Sequence, residues 1–474
     1  MIQSFRSHPA TALLVTALII IPATTLLRLI STQPPLAVNT VRVDDPLIQI
    51  SETAVMLQSF RVETQAGIPA LWIERFGRDA AVRLWSQRDG QLWWQAWPEE
   101  GDPFLIIAET PPGAVSDGVP RFSKATDSIH RHRGLMLLFS DALNREAFEQ
   151  RFSPDVAVSP PIERFCINQL KTTTAVLWRP FALASLAGDL APLLQSASHG
   201  CVAIELRGRE LRWLGVVASR SLREASSRLR PPDPTGSWRQ DSIQSDQAGA
   251  GQRDELLRLQ SHSARLFLGA LLNRPLIRDG LESNYGLDSN LRNQLLAAPL
   301  SLQLRRNEQG PFRAAVQLDL VFRNLNPQAI GSLKVAGERL KSNGLQSGKR
   351  RLQTERGDFL GEETLWYDDT ENTRRLLGGW SWRKGDSSGD GNAELQMTLA
   401  RKPDHGDSPA VITEPGNLVA RLRPSALKRL GLLAESWPGP VQRARVLEFS
   451  MRPLDGSATS HEDWRSISGY LELP

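Results

Sequence analysis

Three times along this chain of 474 residues, an apolar run leads through Arg-Pro into a helix-like segment and then into a ribbon of two alternating strands. The first copy reads Ala175-Val176-Leu177-Trp178-Arg179-Pro180 and continues to Leu186. The second runs from Leu266-Phe267-Leu268 to Arg274-Pro275 and Leu281, the third from Leu418-Val419-Ala420-Arg421-Leu422-Arg423-Pro424 to Leu430. In each copy an apolar residue stands two and six positions after the proline. Proline suits the first helical position, where its missing N–H needs no partner and its φ is already helical. Apolar residues at that spacing then form one helical face that docks on a sheet.

The ribbons are read from period-two alternation. The first carries Val202, Ile204 and Leu206, a turn at Gly208, then Leu211, Trp213 and Val217. In the second, Leu300, Leu302 and Leu304 are followed by a turn at residues 307–310 and by Phe312, Ala314, Val316, Leu318 and Leu320. The third has Leu447, Phe449 and Met451, a loop through Gly456, and then Ile467, Leu471 and Leu473. Alternation of this kind predicts one buried and one wet face, in antiparallel pairs. The expected fold class is therefore α+β, built of repeated strand-helix-strand-strand units with mostly antiparallel sheets. A fourth, degenerate copy starts at Arg133, with Leu135–Phe139 as strand and Ser140-Asp141 capping a helix over 142–148. Residues 84–94 read as a hairpin turning at Asp89-Gly90, with Trp85 opposite Trp94 and Val82 opposite Trp97. Residues 223–254 lack apolar periodicity and read as a linker between an N-terminal lobe, 39–222, and a C-terminal lobe, 255–474; residues 385–392 read as a loop.

Ahead of these units, Ser7 to Leu27 carry no Asp, Glu, Lys or Arg. About 20 helical residues cover the roughly 30 Å hydrocarbon thickness of a bilayer, so 1–35 reads as a transmembrane anchor. The rival is a cleaved signal peptide with Ala10–Ile21 as its apolar centre; against it, the apolar run continues to Ile30 without a small-residue cleavage site. A short N-tail left in the cytoplasm puts the bulk of the chain in a periplasm or lumen, at a plasma (inner) or thylakoid membrane. Mean hydropathy of −0.29 and a single such segment exclude a polytopic membrane protein. Basic residues exceed acidic by 56 to 52, too little to argue for nucleic acid. The two cysteines, Cys166 and Cys201, are compatible with one disulfide or with two buried small hydrophobes.

Catalytic motifs are incomplete. Asp386-Ser387-Ser388-Gly389-Asp390-Gly391 resembles the start of a calcium loop, but position twelve is Met397, where a bidentate glutamate is needed. Ser425-Ala426-Leu427-Lys428 matches S-x-x-K without its partner motifs. His130 and His132 would share one face of a strand near Asp127, with no further histidine cluster to complete a metal site. Gly379-Trp380-Ser381-Trp382-Arg383 fails the nucleophile-elbow pattern at its last position, and Glu362-Glu363 and Asp368-Asp369 read as diverging surface charges. No cofactor is expected. Five of the thirteen tryptophans, Trp72, Trp85, Trp93, Trp94 and Trp97, fall within 26 residues. They form either an aromatic interaction surface or a hairpin core buried on both faces.

One N-terminal span followed by Pro-initiated helices and alternating ribbons resembles a family of membrane-anchored proteins common in cyanobacteria, defined only as a domain of unknown function. The resemblance covers most of the chain after residue 40. It implies a plasma-membrane or thylakoid address and brings no catalytic residue or substrate. These readings together lead to the expectation of a non-enzymatic, membrane-anchored scaffold, assembly factor or binder of an apolar ligand, its partner a membrane protein or a lipid. The alternative is an envelope hydrolase or transferase whose site is assembled from residues distant in sequence.

Overall fold

The computed structural model describes residues 44–65, 67–109, 126–152, 161–182, 197–218, 254–272, 274–307, 312–322, 327–353, 359–368, 374–384, 393–403, 417–433, 437, 439–454 and 464–474. The apolar segment 7–27, the linker 223–253, the loop 385–392 and Leu186 lie outside them. Among the described residues no helix is long and apolar enough to cross a membrane. The chain is α+β and divides into two compact units, the first taking in residues up to Arg239 together with Ser436–Pro440 and Pro453–Leu473.

The first unit holds strands β1 (Ala54–Arg61), β2 (Leu92–Pro98), β3 (Phe104–Ala108), β4 (Ile129–His132), β5 (Leu135–Leu138), β6 (Thr174–Trp178), β7 (His199–Arg207), β8 (Glu210–Ala218) and β18 (Arg465–Glu472). They pair antiparallel in the order β4-β5-β3-β2-β1-β6-β7-β8-β18. Both faces are covered. On one, Leu57, Ala96, Phe104, Leu177 and Val216 pack with Leu47 and Ile50 of helix α1 (Asp44–Thr53) and with Ile162, Phe165 and Leu170 of α5 (Pro161–Thr172). Cys166 of α5 and Cys201 of β7 are joined there in a disulfide, with Cα atoms 5.6 Å apart. The disulfide alternative is the one realised. On the other face, Phe60, Trp93, Leu105, Ile107 and Met136 lie under α2 (Ala70–Phe76) and α3 (Arg78–Gln87), which contribute Trp72 and Trp85.

Helix α3 overturns the expected hairpin at 84–94. Ala80, Ala81, Leu84 and Trp85 are buried and recur at the three-to-four spacing of a helical face, so that period wins over the alternation read from 84 onward. Asp89-Gly90 serves as the turn after the helix, Gly90 at φ 73° donating its N–H to Val62 O at 2.9 Å. The strand and helix of the degenerate copy exist, as β5 and α4 (Ala142–Arg151), with Asp141 accepting from Asn144 N–H at 2.8 Å as cap. After them comes α5 and then β6 rather than a ribbon, so the fourth copy is not a strand-helix-strand-strand unit.

The second unit holds β9 (Glu255–Ser261), β10 (Leu300–Arg306), β11 (Ala314–Phe322), β12 (Gln346–Gln353), β13 (Phe359–Asp368), β14 (Arg375–Lys384), β15 (Ala393–Leu399), β16 (Leu418–Leu422) and β17 (Val446–Pro453). They too pair antiparallel, in the order β12-β13-β14-β15-β11-β10-β9-β16-β17. Between β9 and β10 run α6 (Arg265–Leu272), α7 (Pro275–Tyr285) and α8 (Ser289–Ala297); α9 (Pro327–Ser342) follows β11, and α10 (Pro424–Arg429) and α11 (Gly439–Arg443) follow β16.

Pro180, Pro275 and Pro424 all open helices. The copies behind them are nevertheless not equivalent. Leu266–Leu268, expected as a strand, lies in α6, because a short unbroken apolar run does not itself distinguish strand from helix; the true strand is β9, ahead of it. Helix α7 buries no side chain, Leu281 is half-buried and Leu276 is 88% exposed. In the third copy the buried anchor is Leu427, three residues after the proline, while Leu430 is half-buried. Its last strand, β18, pairs with β8 in the first unit. What the two units share is strand order. Each centres on a strand (β1, β9) flanked on one side by the strand after a helical connection (β2, β10), then by β3 or β11, and on the other by the strand that enters Arg-Pro (β6, β16).

Candidate functional site

Directly paired residues of an antiparallel sheet point to the same face, so register assigns the two faces of the second unit without ambiguity. One row joins Trp380, Met397, Leu318, Leu302 and Leu259; the next joins Gly378, Leu399, Val316, Leu304 and Leu257. This is the apolar face. At the β9 side its residues are buried, as are Leu300, Leu320 and Leu395 in the row beyond. In the middle they are not: Met397 is 38% and Leu399 43% exposed, and Leu302, Leu304, Val316, Leu318 and Trp380 are half-buried. The result is a contiguous apolar strip, aliphatic on β15, β11 and β10 and bounded by Trp380 on β14.

Helix α9 lies on the same side as this strip. Gly337 of α9 faces the indoles of Trp366 and Trp380 so closely that a Cβ there would stand 3.4 Å from Trp366 Cζ2. Helix α9 is tied to the neighbouring helical connection by Ser332 Oγ donating to Gly286 O at 3.1 Å and by Asn290 Nδ2 donating to Gln328 Oε1 at 3.3 Å. At the other end Ser263 Oγ donates to Leu296 O at 2.6 Å, holding the start of α6 to the end of α8. The helical layer is thus secured at its margins, while α7 within it buries nothing.

The first unit shows what a filled version of this place looks like. There β2 and β3 carry Trp93, Leu105 and Ile107, and the helices between β1 and β2 close over them with Trp72 and Trp85, in ring contacts of 5.0 to 6.4 Å. Trp72 is fully buried. At the matching place in strand order, the second unit has aliphatic side chains and no tryptophan from α6, α7 or α8. The indoles of Trp366 and Trp380 lie instead at the β13–β14 side against α9, and none comes from the helices between β9 and β10.

The opposite face of the same strands is polar and closed to solvent. Ser381, Gln396, Asp319, Ser301 and Gln260 form one paired row, with Thr398, Gln317 and Gln303 beside it, and all are buried. The Asp319 carboxylate accepts from Gln396 Nε2 at 2.7 Å and from Gln317 Nε2 at 3.1 Å. Burial holds its pKa above the ordinary carboxylate value, and the two amide hydrogen bonds oppose that rise without cancelling it. The alternation expected for this ribbon is therefore present with its burial inverted: polar side in, apolar side half out.

The other candidates resolve into structural roles. Trp72, Trp85, Trp93 and Trp94 are buried and Trp97 is half-buried, so four of the five tryptophans are core and the aromatic interaction surface is not formed by them. Trp93 and Trp94 point to opposite faces of β2, both covered; Trp94 Nε1 donates to Leu170 O at 2.8 Å. His130 and His132 share a face of β4, ring centroids 6.3 Å apart, but turn to different partners: His130 Nδ1 to Glu149 Oε1 at 2.8 Å and His132 Nε2 to Gln49 Oε1 at 2.5 Å. Burial, then the charges of Arg133 and His130, hold His132 below the usual histidine value, favouring the neutral imidazole that donates to Gln49. Among the described residues no group of three or more His, Cys, Asp or Glu is placed to hold a metal. Ser425 sits in the first turn of α10 with Lys428 exposed. Glu362 is exposed and Glu363 buried, on opposite faces of β13. The calcium-like loop and Asp369 lie outside the described residues.

Comparison with protein-family models, curated proteins and solved structures finds no match for this chain. The strip was visible in the sequence as alternating leucines on β10 and β11, but β15 joins it by pairing with β11 across separations from Phe322↔Ala393 to Val316↔Leu399, and β14 follows through β15; for the long-range pairing a single sequence holds no local signal.

Proposed function

We propose that the second unit binds an apolar ligand between the strip on β10, β11, β14 and β15 and the helices α6 to α9, and that the protein acts as a non-enzymatic binder at a membrane. The observation that carries this reading is the half-exposed apolar strip, set beside the indole-filled counterpart in the first unit. A contiguous apolar patch left open to solvent costs roughly 25 cal/mol per Å² relative to burying it, and such patches mark binding sites. Ligand pockets are typically apolar with a few polar groups at their margin. The apolar N-terminal segment supports the membrane address, and the disulfide accords with an oxidising compartment such as a periplasm or lumen.

The test uses the full chain in nanodiscs, with empty nanodiscs subtracted, and the uncharged fluorophore N-phenyl-1-naphthylamine. Saturable binding near one probe per chain is expected. Met397→Glu, at a side chain already partly exposed, should weaken it at least tenfold while leaving the circular dichroism spectrum unchanged. Absence of saturable binding to the wild-type chain, or full binding by Met397→Glu and Leu318→Glu alike, would overturn the reading.

A further inference from the structure

One end of the apolar strip is ringed with cations. Arg306 pairs with Ala314 in the row directly beyond Leu304 and Val316, on the same face as those residues. Arg313 precedes that row, with Asn307 N–H bonded to its carbonyl at 3.1 Å. Arg375 starts β14 with Arg374 just ahead of it, and Lys402 follows the end of β15, after which Ala400 N–H is tied to Leu377 O at 2.7 Å. Because Leu304, Val316, Leu399 and Gly378 are joined in register, these strand ends lie at the same end of the sheet. All five cations are exposed. Of the described acidic groups there, Glu255 bridges Arg258 at 2.6 Å, Asp254 is exposed and Asp368 half-buried, so positive charge predominates among the described residues of this end. By register Arg306 and Arg375 share the face of the strip, whereas Arg313, next to Ala314, and Arg374, stacked 4.0 Å over the Tyr367 ring, turn to the opposite face.

An apolar strip that runs out onto a basic rim matches a molecule with a hydrocarbon chain and an anionic end. We propose that the ligand is a long-chain carboxylate, its chain on the strip and its carboxylate at the rim formed by Arg306, Arg375 and Lys402; this rests on the reading of the strip as a ligand site. The guanidinium groups would donate charge-assisted hydrogen bonds to the carboxylate, bidentate where two N–H groups align. Each exposed charge pair contributes little by itself, so selectivity for the acid comes from several cations acting together and falls with ionic strength.

Displacement of N-phenyl-1-naphthylamine from the full chain in nanodiscs separates the two proposals. Dodecanoate, dodecanol and dodecyltrimethylammonium serve as competitors of equal chain length. Dodecanoate should displace the probe at a concentration on the order of tenfold lower than dodecanol, and the cationic amphiphile should be weakest. In Arg306→Glu/Arg375→Glu the acid-to-alcohol ratio should collapse toward one, and in the wild type it should shrink between low and high salt. Equal displacement by acid and alcohol, or preference for the cationic amphiphile, overturns the carboxylate assignment while leaving the apolar site standing. Failure of the probe to bind at all removes the site itself.

Discussion

Asp319 is the residue whose placement is hardest to explain by stability alone. An ionisable carboxyl with no exposed surface, held by two amide donors, costs free energy in its charged form. Its folded pKa lies above the ordinary value of 3.8, so the stability linked to it is fully present below about that pH and is lost as pH rises through the raised value. Asp319→Asn keeps an acceptor for both glutamines and adds an amide donor where Gln317 Oε1 and Gln396 Oε1 lack one. The variant should be more stable than wild type once Asp319 is ionised, by about 1–3 kcal/mol, and should lose the fall in urea midpoint that this group causes as pH rises above the ordinary carboxylate range. A wild-type midpoint rising as Asp319 ionises, with Asn less stable there, would show that the charged form is the favoured one. Gly215 is a second residue with a narrow tolerance: a Cβ there would fall on the Cys201 carbonyl and the Val202 Cα, both backbone. Gly215→Ala should cost about 1–3 kcal/mol or more in chemical denaturation, since β7 cannot move aside without breaking its ladder.

Among the elements, the helices of the two units should differ in how firmly they are held. Helices α2 and α3 bury Leu71, Trp72, Phe76, Leu84 and Trp85, whereas α7 buries none of its side chains. Amide hydrogen exchange should therefore be fast across residues 275–285 and slow across 70–87, and a bound hydrocarbon chain should slow it in α7. Equal protection of the two regions without ligand would argue against an open layer. Helix α10 tests the anchoring rule within one element: Leu427→Ala should destabilise by about 2–5 kcal/mol, and Leu430→Ala clearly less, by equilibrium unfolding. The pattern of apolar positions after Pro424 was readable in the sequence, but which leucine is the anchor depends on how the short helix meets its surroundings.

For the whole molecule, the disulfide is the one covalent link between distant segments, closing a sequence separation of 35 residues. In the chain-entropy account such a closure is worth about 3–4 kcal/mol, so Cys166→Ala/Cys201→Ala should lower the unfolding midpoint of the first unit by a corresponding amount. A midpoint matching the wild type would mean that packing around α5 and β7 already compensates. The sequence by itself determined the α+β class, the antiparallel ribbons, their turn at Gly208, the helix-opening prolines and which residues of β10 and β11 share a face. All of these rest on interactions within a few residues: fixed φ, caps, and a period of two or of three to four. Tertiary structure alone decided that α3 lies over Trp93, that β18 pairs with β8, and that Cys166 meets Cys201. It decided too which face of β10 and β11 is covered. Alternation separates leucines from glutamines and serines, but burial depends on what packs against each side, and here the covered side is the polar one.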